Sequence, residues 1–226
     1  MNPITGRGEI AIVAELGINH DGSLSTALDL VHMARDAGVD AVKIQCFTPS
    51  EFCTARALWK GRPQAKMFQQ YALTANMVKA IRDECLKCGL VFFATPQDIE
   101  WAGFLRDLGV PCFKVGSDDL VHTPFLEQLT VRGLPVILST GMASEPEIDR
   151  ALTAVRYAHS LTLMHCVSLY PTPFHEAHLA RIGILRQAFG WPVGYSDHTD
   201  GITAAVLSVS LGVTIIEKHF TYYKAA

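Results

Sequence analysis

The chain has 226 residues, of which 49% are hydrophobic and 18% charged, and it carries a formal net charge of −3. That length supports one large core, since single α/β barrels routinely reach it. The near-neutral charge argues against a nucleic-acid partner, which would show a basic excess. No apolar run is long enough to cross a bilayer, and residues 1–9 lack the basic-then-apolar layout of a secretory leader.

In chain order, short runs rich in Val, Ile and Phe alternate with segments of helical spacing. "EIAIVAELG" reads as strand one. Residues 23–37 then place Leu24, Ala27, Leu28, Val31 and Ala34 on one helical face, and Gly38 ends that helix. "DAVKIQCF", "GLVFFATP", "VPCFKVGS", "LPVILSTG", "LTLMHCVS", "WPVGYSDH" and "VTIIEKHF" supply strands two to eight. Helical patterns fill residues 77–88, 98–108, 124–131, 145–159, 179–189 and 203–211, with Gly or Pro at most junctions. Eight apolar strands separated by helices predict a closed (β/α)8 barrel of the TIM type over residues 1–226. The competing open doubly wound sheet lacks its glycine-rich first turn, because "GINHDG" follows strand one.

Two features depart from a regular barrel. Residues 47–75 exceed an ordinary strand-to-helix link and contain Trp59, Met67, Phe68 and Tyr71, which suggests a structured lid. The sequence stops at Ala226, just after strand eight. The expectation is therefore a barrel without its eighth helix, with an apolar flank bare between strands eight and one.

Six cysteines, Cys46, Cys53, Cys85, Cys88, Cys112 and Cys166, sit mostly in apolar runs as small hydrophobes. They fit a reducing cytoplasm. Cys85 and Cys88 form a CxxC, but no second pair completes a tetrahedral zinc site, so they read as two thiols on a helix.

Barrel enzymes carry their reacting groups at the C-terminal strand ends. Here those ends bring Glu15, Asn19 and His20; Lys43 and Gln45; Thr95; Lys114, Ser117, Asp118 and Asp119; Ser139 and Thr140; Ser168 and Tyr170; Ser196, Asp197 and His198; and Glu217, Lys218 and His219. Polar groups at one end of greasy strands are costly unless a site uses them. Alternation turns Lys43 and Gln45 the same way, and Glu217 and His219 together, leaving Lys218 toward the helices. His198 and His219, one strand–helix unit apart, should be neighbours. They can share a divalent cation with substrate oxygens or water, or each can be a hydrogen-bonded barrel residue. Lys43, Lys114, Ser117 and Ser139 suit a phosphate or carboxylate. A Schiff-base lysine at Lys43 or Lys114 is equally compatible with strand-end position. His32, His159 and His178 read as solvated helical residues, His122 and His175 as loop residues, and His165 as a satisfied core histidine.

Together "AELGINHDGSLSTALDLVHMARDAGVDAVKIQCF", "FFATPQD", "FKVGSDDL", "VILSTGMAS", "HCVSLYPTP", "GYSDHTDGITAA" and "IIEKHFT" resemble the N-acetylneuraminate (sialic acid) synthase family. That family includes legionaminate, pseudaminate and spore-coat polysaccharide synthases. The resemblance implies condensation of phosphoenolpyruvate with an N-acetylmannosamine-type sugar to a nine-carbon 2-keto acid, with release of phosphate. It implies a divalent cation, manganese first, with magnesium or cobalt as alternatives, held by His198 and His219. It places phosphoenolpyruvate against Lys43, Thr95, Lys114, Ser117, Ser139 and Ser196. It places the sugar against Gln45 and Tyr170, and puts Glu15 and Glu217 near the reacting carbons. Asp119 matches the residue that would position or deprotonate water, ahead of Glu15. Asp118 stands where glycine is common, and Ser168 where some members carry asparagine. The family continues into a final helix and an antifreeze-like domain, which in its homodimers caps the partner's site with an arginine. This sequence contains neither, which leaves open a barrel that binds phosphoenolpyruvate or metal without turnover.

Overall fold

The computed structural model describes residues 2–5, 10–54, 56–59, 61–131 and 133–223. Eight parallel strands close into a barrel: β1 (Ala11–Gly17), β2 (Ala41–Cys46), β3 (Val91–Pro96), β4 (Phe113–Val115), β5 (Val136–Ser139), β6 (Leu161–His165), β7 (Val193–Asp197) and β8 (Ile215–His219). Each strand pairs with its sequence neighbours, and β8 closes on β1. The (β/α)8 expectation holds and the open sheet is excluded. Glu9, the expected start of strand one, lies outside the described residues.

Helices α1 (Leu24–Asp36), α2 (Pro49–Phe52), α3 (Gln64–Tyr71), α4 (Ala75–Lys87), α5 (Ile99–Asp107), α6 (Thr123–Thr130), α7 (Glu145–Ala154), α8 (Arg181–Phe189) and α9 (Thr203–Ser210) fill the connections. Their starts follow from capping chemistry. Ser23, Thr74 and Asp98 accept from the backbone N–H groups of Thr26, Met77 and Trp101. Ser144 and Glu147 form a reciprocal capping box. Helix α7 is shorter than its apolar spacing predicts. After Ala154 the bonds tighten to Arg156 N–H on Thr153 O and Ala158 N–H on Val155 O, turning the chain into β6 while Ala158 still packs on the core. Strand β4 is also short: Pro111 offers no donor on entry, and beyond Val115 the chain leaves the ladder.

The core fills the barrel and the shell between barrel and helices, with Phe93, Phe113, Leu30, Leu105 and Leu126 buried. Residues 2–5 fold beneath the N-terminal strand ends: Ile4 is buried and Asn2 Nδ2 donates to Thr214 O at 2.7 Å. The long segment after β2 is structured. It comprises α2, a two-residue antiparallel ribbon (Leu58–Trp59 with Arg62–Pro63) and α3. Phe47, Phe52 and Phe68 lock it together with ring centroids 4.5–5.4 Å apart. Gly22, at φ +71°, lets the β1–α1 loop meet this segment, since a Cβ there would collide with Gln70 O. The side chain of Trp59 lies outside the described residues.

Ile12 on β1 and Val206, Leu207 and Val209 on α9 are exposed. Among the described residues, no helix is long and apolar enough to cross a membrane.

Candidate active site

The C-terminal strand ends surround a cavity of about 260 Å³. Of the fourteen site residues expected from the sequence, thirteen line it: Glu15, Lys43, Gln45, Thr95, Lys114, Ser117, Ser139, Ser168, Tyr170, Ser196, His198, Glu217 and His219. The parallel register explains the convergence. Glu15 pairs with Lys43 on one side and His219 on the other, and Glu217 pairs with Ser196. Residues level in register on adjacent strands point the same way.

Two buried ammonium groups and two buried carboxyl groups form the floor. Lys43 Nζ lies 2.6 Å from Glu15 Oε2 and 3.8 Å from Glu217 Oε1, and it donates to Thr95 Oγ1 at 3.3 Å. Lys114 Nζ donates to Ser139 Oγ at 2.7 Å and lies 3.9 Å from Glu217 Oε1. Ser196 Oγ donates to the same oxygen at 3.1 Å. Glu15 Oε1 and Glu217 Oε2 are buried without a hydrogen-bond partner.

The carboxyls are driven apart in acidity. Burial, opposed by Lys43 and reinforced by Glu217, raises Glu15 from 4.5 to about 7. Burial would also raise Glu217, but Lys114, Lys43, His219 and the Ser196 hydroxyl outweigh it and hold it at about 2. Burial disfavours the Lys43 ammonium, yet Glu15 and Glu217 more than compensate, so its pKa is raised and it stays charged. Glu217 is thus the carboxylate shared by both lysines, while Glu15 keeps its proton to near neutrality.

His198 and His219 face each other with ring centroids 5.5 Å apart, and Tyr170 lies 4.2 Å from the first ring and 5.8 Å from the second. His198 Nδ1 is 2.7 Å from Val167 O. A carbonyl only accepts, so Nδ1 carries the proton and Nε2 presents its lone pair beside Ser196 Oγ. Surrounding protein, with the neighbouring imidazole, pulls His219 down to about 4, although its edge is open to solvent. Burial lowers His198 as well.

The rim comes from loops. Ser117 Oγ accepts from Gly141 N at 2.9 Å and lies 3.1 Å from Cys166 Sγ. A Cβ on Gly141 would meet Ser168 Oγ, Cys166 Sγ and Ser117 Oγ within 2.8 Å, so only glycine lets those three atoms gather there. Asp119, the fourteenth expected residue, is not among the lining residues. It sits in the loop after β4 with Oδ2 buried and unpartnered. Burial and Asp118 raise its carboxyl to about 7.

Phe52, Gln97, Met142 and Cys166 also line the cavity, beyond the site residues expected from the sequence. Gln97 was accessible to sequence reasoning, since it lies two residues beyond Thr95 on the same alternation. Phe52 ends the short helix α2 inside the long connection after β2 and Met142 lies in the loop after β5, placements that no periodicity reveals, and Cys166 looks apolar in sequence. Other strand-end groups turn away. Asn19 Nδ2 donates to Phe220 O, buried His20 accepts from Gly22 N, and Thr140 Oγ1 donates to Met164 O. Asp197 and Lys218 face the helices, as alternation requires for Lys218. His165 donates to Ala177 O and stacks on Tyr195, a satisfied core residue. His122, His159, His175 and His178 are exposed.

Cys85 is buried on α4, while Cys88 caps its end. Cys88, His32 and Glu84 come together between α1 and α4, but Arg35 and Lys87 stand among them as counter-charges.

The sequence profile of the NeuB family matches residues 30–226. An uncharacterized protein of Methanocaldococcus jannaschii is 38% identical over 222 residues, covering 97% of this chain and 64% of that protein. The N,N'-diacetyllegionaminic acid synthase of Campylobacter jejuni is 37% identical over 228 residues, covering 94% of this chain and 68% of that enzyme. The chain thus spans about two thirds of the length of these curated relatives. The solved N-acetylneuraminic acid synthetase of Leptospira borgpetersenii superposes with a TM-score of 0.89 at 33% identity, covering 96% of this chain and 75% of that one.

Proposed function

The chain belongs to the NeuB family, and from that premise we propose that its cavity joins phosphoenolpyruvate to an N-acetylmannosamine-type amino sugar, forming a nine-carbon 2-keto sugar acid and inorganic phosphate. One observation carries this reading. A pair of buried ammonium groups, ringed by hydroxyls, faces two neighbouring neutral imidazoles across buried carboxyl groups with unpaired oxygens. Anion, electrophile and proton-handling groups are then within one small cavity.

His198 and His219 fit a divalent cation, with manganese the leading candidate and magnesium or cobalt alternatives. The Val167 carbonyl fixes the His198 tautomer so that a lone pair faces the cavity, both imidazoles are kept neutral, and Glu217 Oε2 is left without a partner nearby. When bound, such an ion polarises the sugar aldehyde as a Lewis acid.

The chain's own groups supply the rest. Lys43 and Lys114, with Thr95, Ser117, Ser139 and Ser196, hold the phosphate and carboxylate of phosphoenolpyruvate and orient its methylene carbon. That carbon forms the new bond to the aldehyde carbon, and positive charge develops at the adjacent enol-ether carbon. Water adds there; one of its protons goes to the oxygen of the former aldehyde and the other leaves with the phosphate. The carbon–oxygen bond to phosphate then breaks, leaving the ketone, and the two lysines offset the charge of the departing phosphate. Glu217, ionised and with one free oxygen, is the cavity-lining group suited to hold that water; Asp119 is the alternative from the adjacent loop. Gln45, Tyr170 and Ser168 face the sugar. An imine mechanism is disfavoured at Lys43, because an ammonium held in its charged form is a poor nucleophile.

The test is phosphate release from phosphoenolpyruvate by the purified chain, with the sugar and the divalent ion added singly and together. Release that needs both supports the reading. Undiminished release after chelation, with metal content shown to be zero, or borohydride trapping of substrate on a lysine, overturns it.

A further inference from the structure

We infer that Asp118 makes this cavity selective for an acceptor sugar without a phosphate ester. The inference rests on the condensation reading and deepens it. The other carboxyl groups in the lining are committed: Glu15 lies against Lys43, and Glu217 against Ser196 with both lysines near. Asp118 also lines the cavity, yet among the described residues no hydrogen bond or ion pair engages its carboxylate, and it is exposed. Gly116 makes room for it: a Cβ there would collide with Asp118 Oδ1, so the carboxylate lies over bare backbone.

That places one unpaired negative charge in the lining, near enough to Lys43 and Tyr170 to act on both. Its field reaches the floor, since it contributes to the raised pKa of Lys43. A neutral polyol arriving above the floor offers O–H donors that an unpaired carboxylate accepts. A phosphorylated sugar brings a second multiply charged anion to the same rim, where like charges repel. Because Asp118 is exposed and solvent screens its charge, that repulsion amounts to about tenfold in affinity, well below what an effective dielectric near 20 would give at several ångströms.

The experiment is calorimetric binding to wild-type, Asp118→Asn and Gly116→Ala chains. The titrants are phosphoenolpyruvate, then N-acetylmannosamine and its 6-phosphate ester in the presence of phosphoenolpyruvate. Wild type should bind the free sugar in preference to the ester. Asp118→Asn should narrow that preference by about tenfold, mostly by tightening the ester. Gly116→Ala, which displaces the carboxylate, should move it in the same direction. An unchanged preference in both variants, with phosphoenolpyruvate still bound, overturns the role of Asp118 alone. Failure of wild type to bind phosphoenolpyruvate or either sugar overturns the condensation reading, and this inference with it.

Discussion

The barrel wall carries a lysine–carboxylate system on each face, Asp197 of β7 with Lys218 of β8 outside and Glu15, Lys43, Lys114 and Glu217 of β1, β2, β4 and β8 inside, and the two systems differ in one respect. On the helix-facing side, Asp197 is fully satisfied. Its Oδ1 accepts from Thr199 N, Thr199 Oγ1 and Tyr195 Oη, and its Oδ2 from Lys218 at 2.8 Å. Lys218 spends a further donor on Thr199 O. On the cavity side, Glu15 and Glu217 each leave an oxygen without a partner, beside lysines that are only partly paired. The outer network is closed and serves the fold. The inner one is left incomplete, and a ligand can complete it. Buried charge alone therefore does not mark a site; buried charge with unspent hydrogen-bonding capacity does.

The contrast can be broken by substitutions on either face. The largest effect belongs to the inner side: Lys114→Ala should lower kcat/KM for phosphate release by about 1000-fold, or about 4 kcal/mol, with a fall in Tm from the less compensated Glu217 that leaves the chain folded at the assay temperature. A variant that unfolds instead would assign Lys114 to the framework. Next, Asp197→Ala should destabilise the chain by about 3 kcal/mol in urea unfolding, because it strands Tyr195, Thr199 and Lys218 together.

Third comes pH. Between 4.5 and about 7 the folded chain keeps a proton on Glu15 that the unfolded chain has released, so stability falls as pH rises through that window. Asp119, raised from 3.8 to about 7, adds to the same decline. Glu217 acts in the opposite sense: held at about 2, its contribution is present above 4.5 and is lost as pH falls toward 2. Glu15→Gln should therefore flatten part of the decline between pH 4.5 and 7, by about 1–2 kcal/mol, and leave the acid limb in place. A calorimetric Tm profile with an unchanged slope would refute the assignment. The smallest effect is Lys218→Met, at about 1 kcal/mol, since that lysine is partly hydrated and its loss leaves Asp197 three other donors. Its kcat/KM should match wild type, and a large fall would remove the distinction between the two faces.

Most of the barrel was legible in the sequence, because a buried parallel strand flanked by amphipathic helices leaves a periodic trace. "VKIQC", "GYSDH" and "IIEKH" show by alternation alone which residues share a face. The cavity residues at strand ends follow from that rule and the fold class. Alternation puts Tyr195 and Asp197 on one face of β7, but it could not say that Asp197 would be saturated while Glu217 kept an oxygen free, because Thr199 lies in the loop beyond the strand and Lys218 on the neighbouring strand. Nor could it give the positions of Phe52 and Met142, which depend on the paths of the connections, or the turning-away of Asn19, His20 and Thr140.

By itself, then, the sequence determined the strand count, the order of elements and the inward or outward sense of each strand residue, since these depend on local periodicity and chain connectivity. Only the tertiary structure decided which polar groups found partners and which did not. Hydrogen-bond satisfaction depends on atoms brought within about 3 Å from segments distant in the chain, and those distances exist only once the barrel has closed.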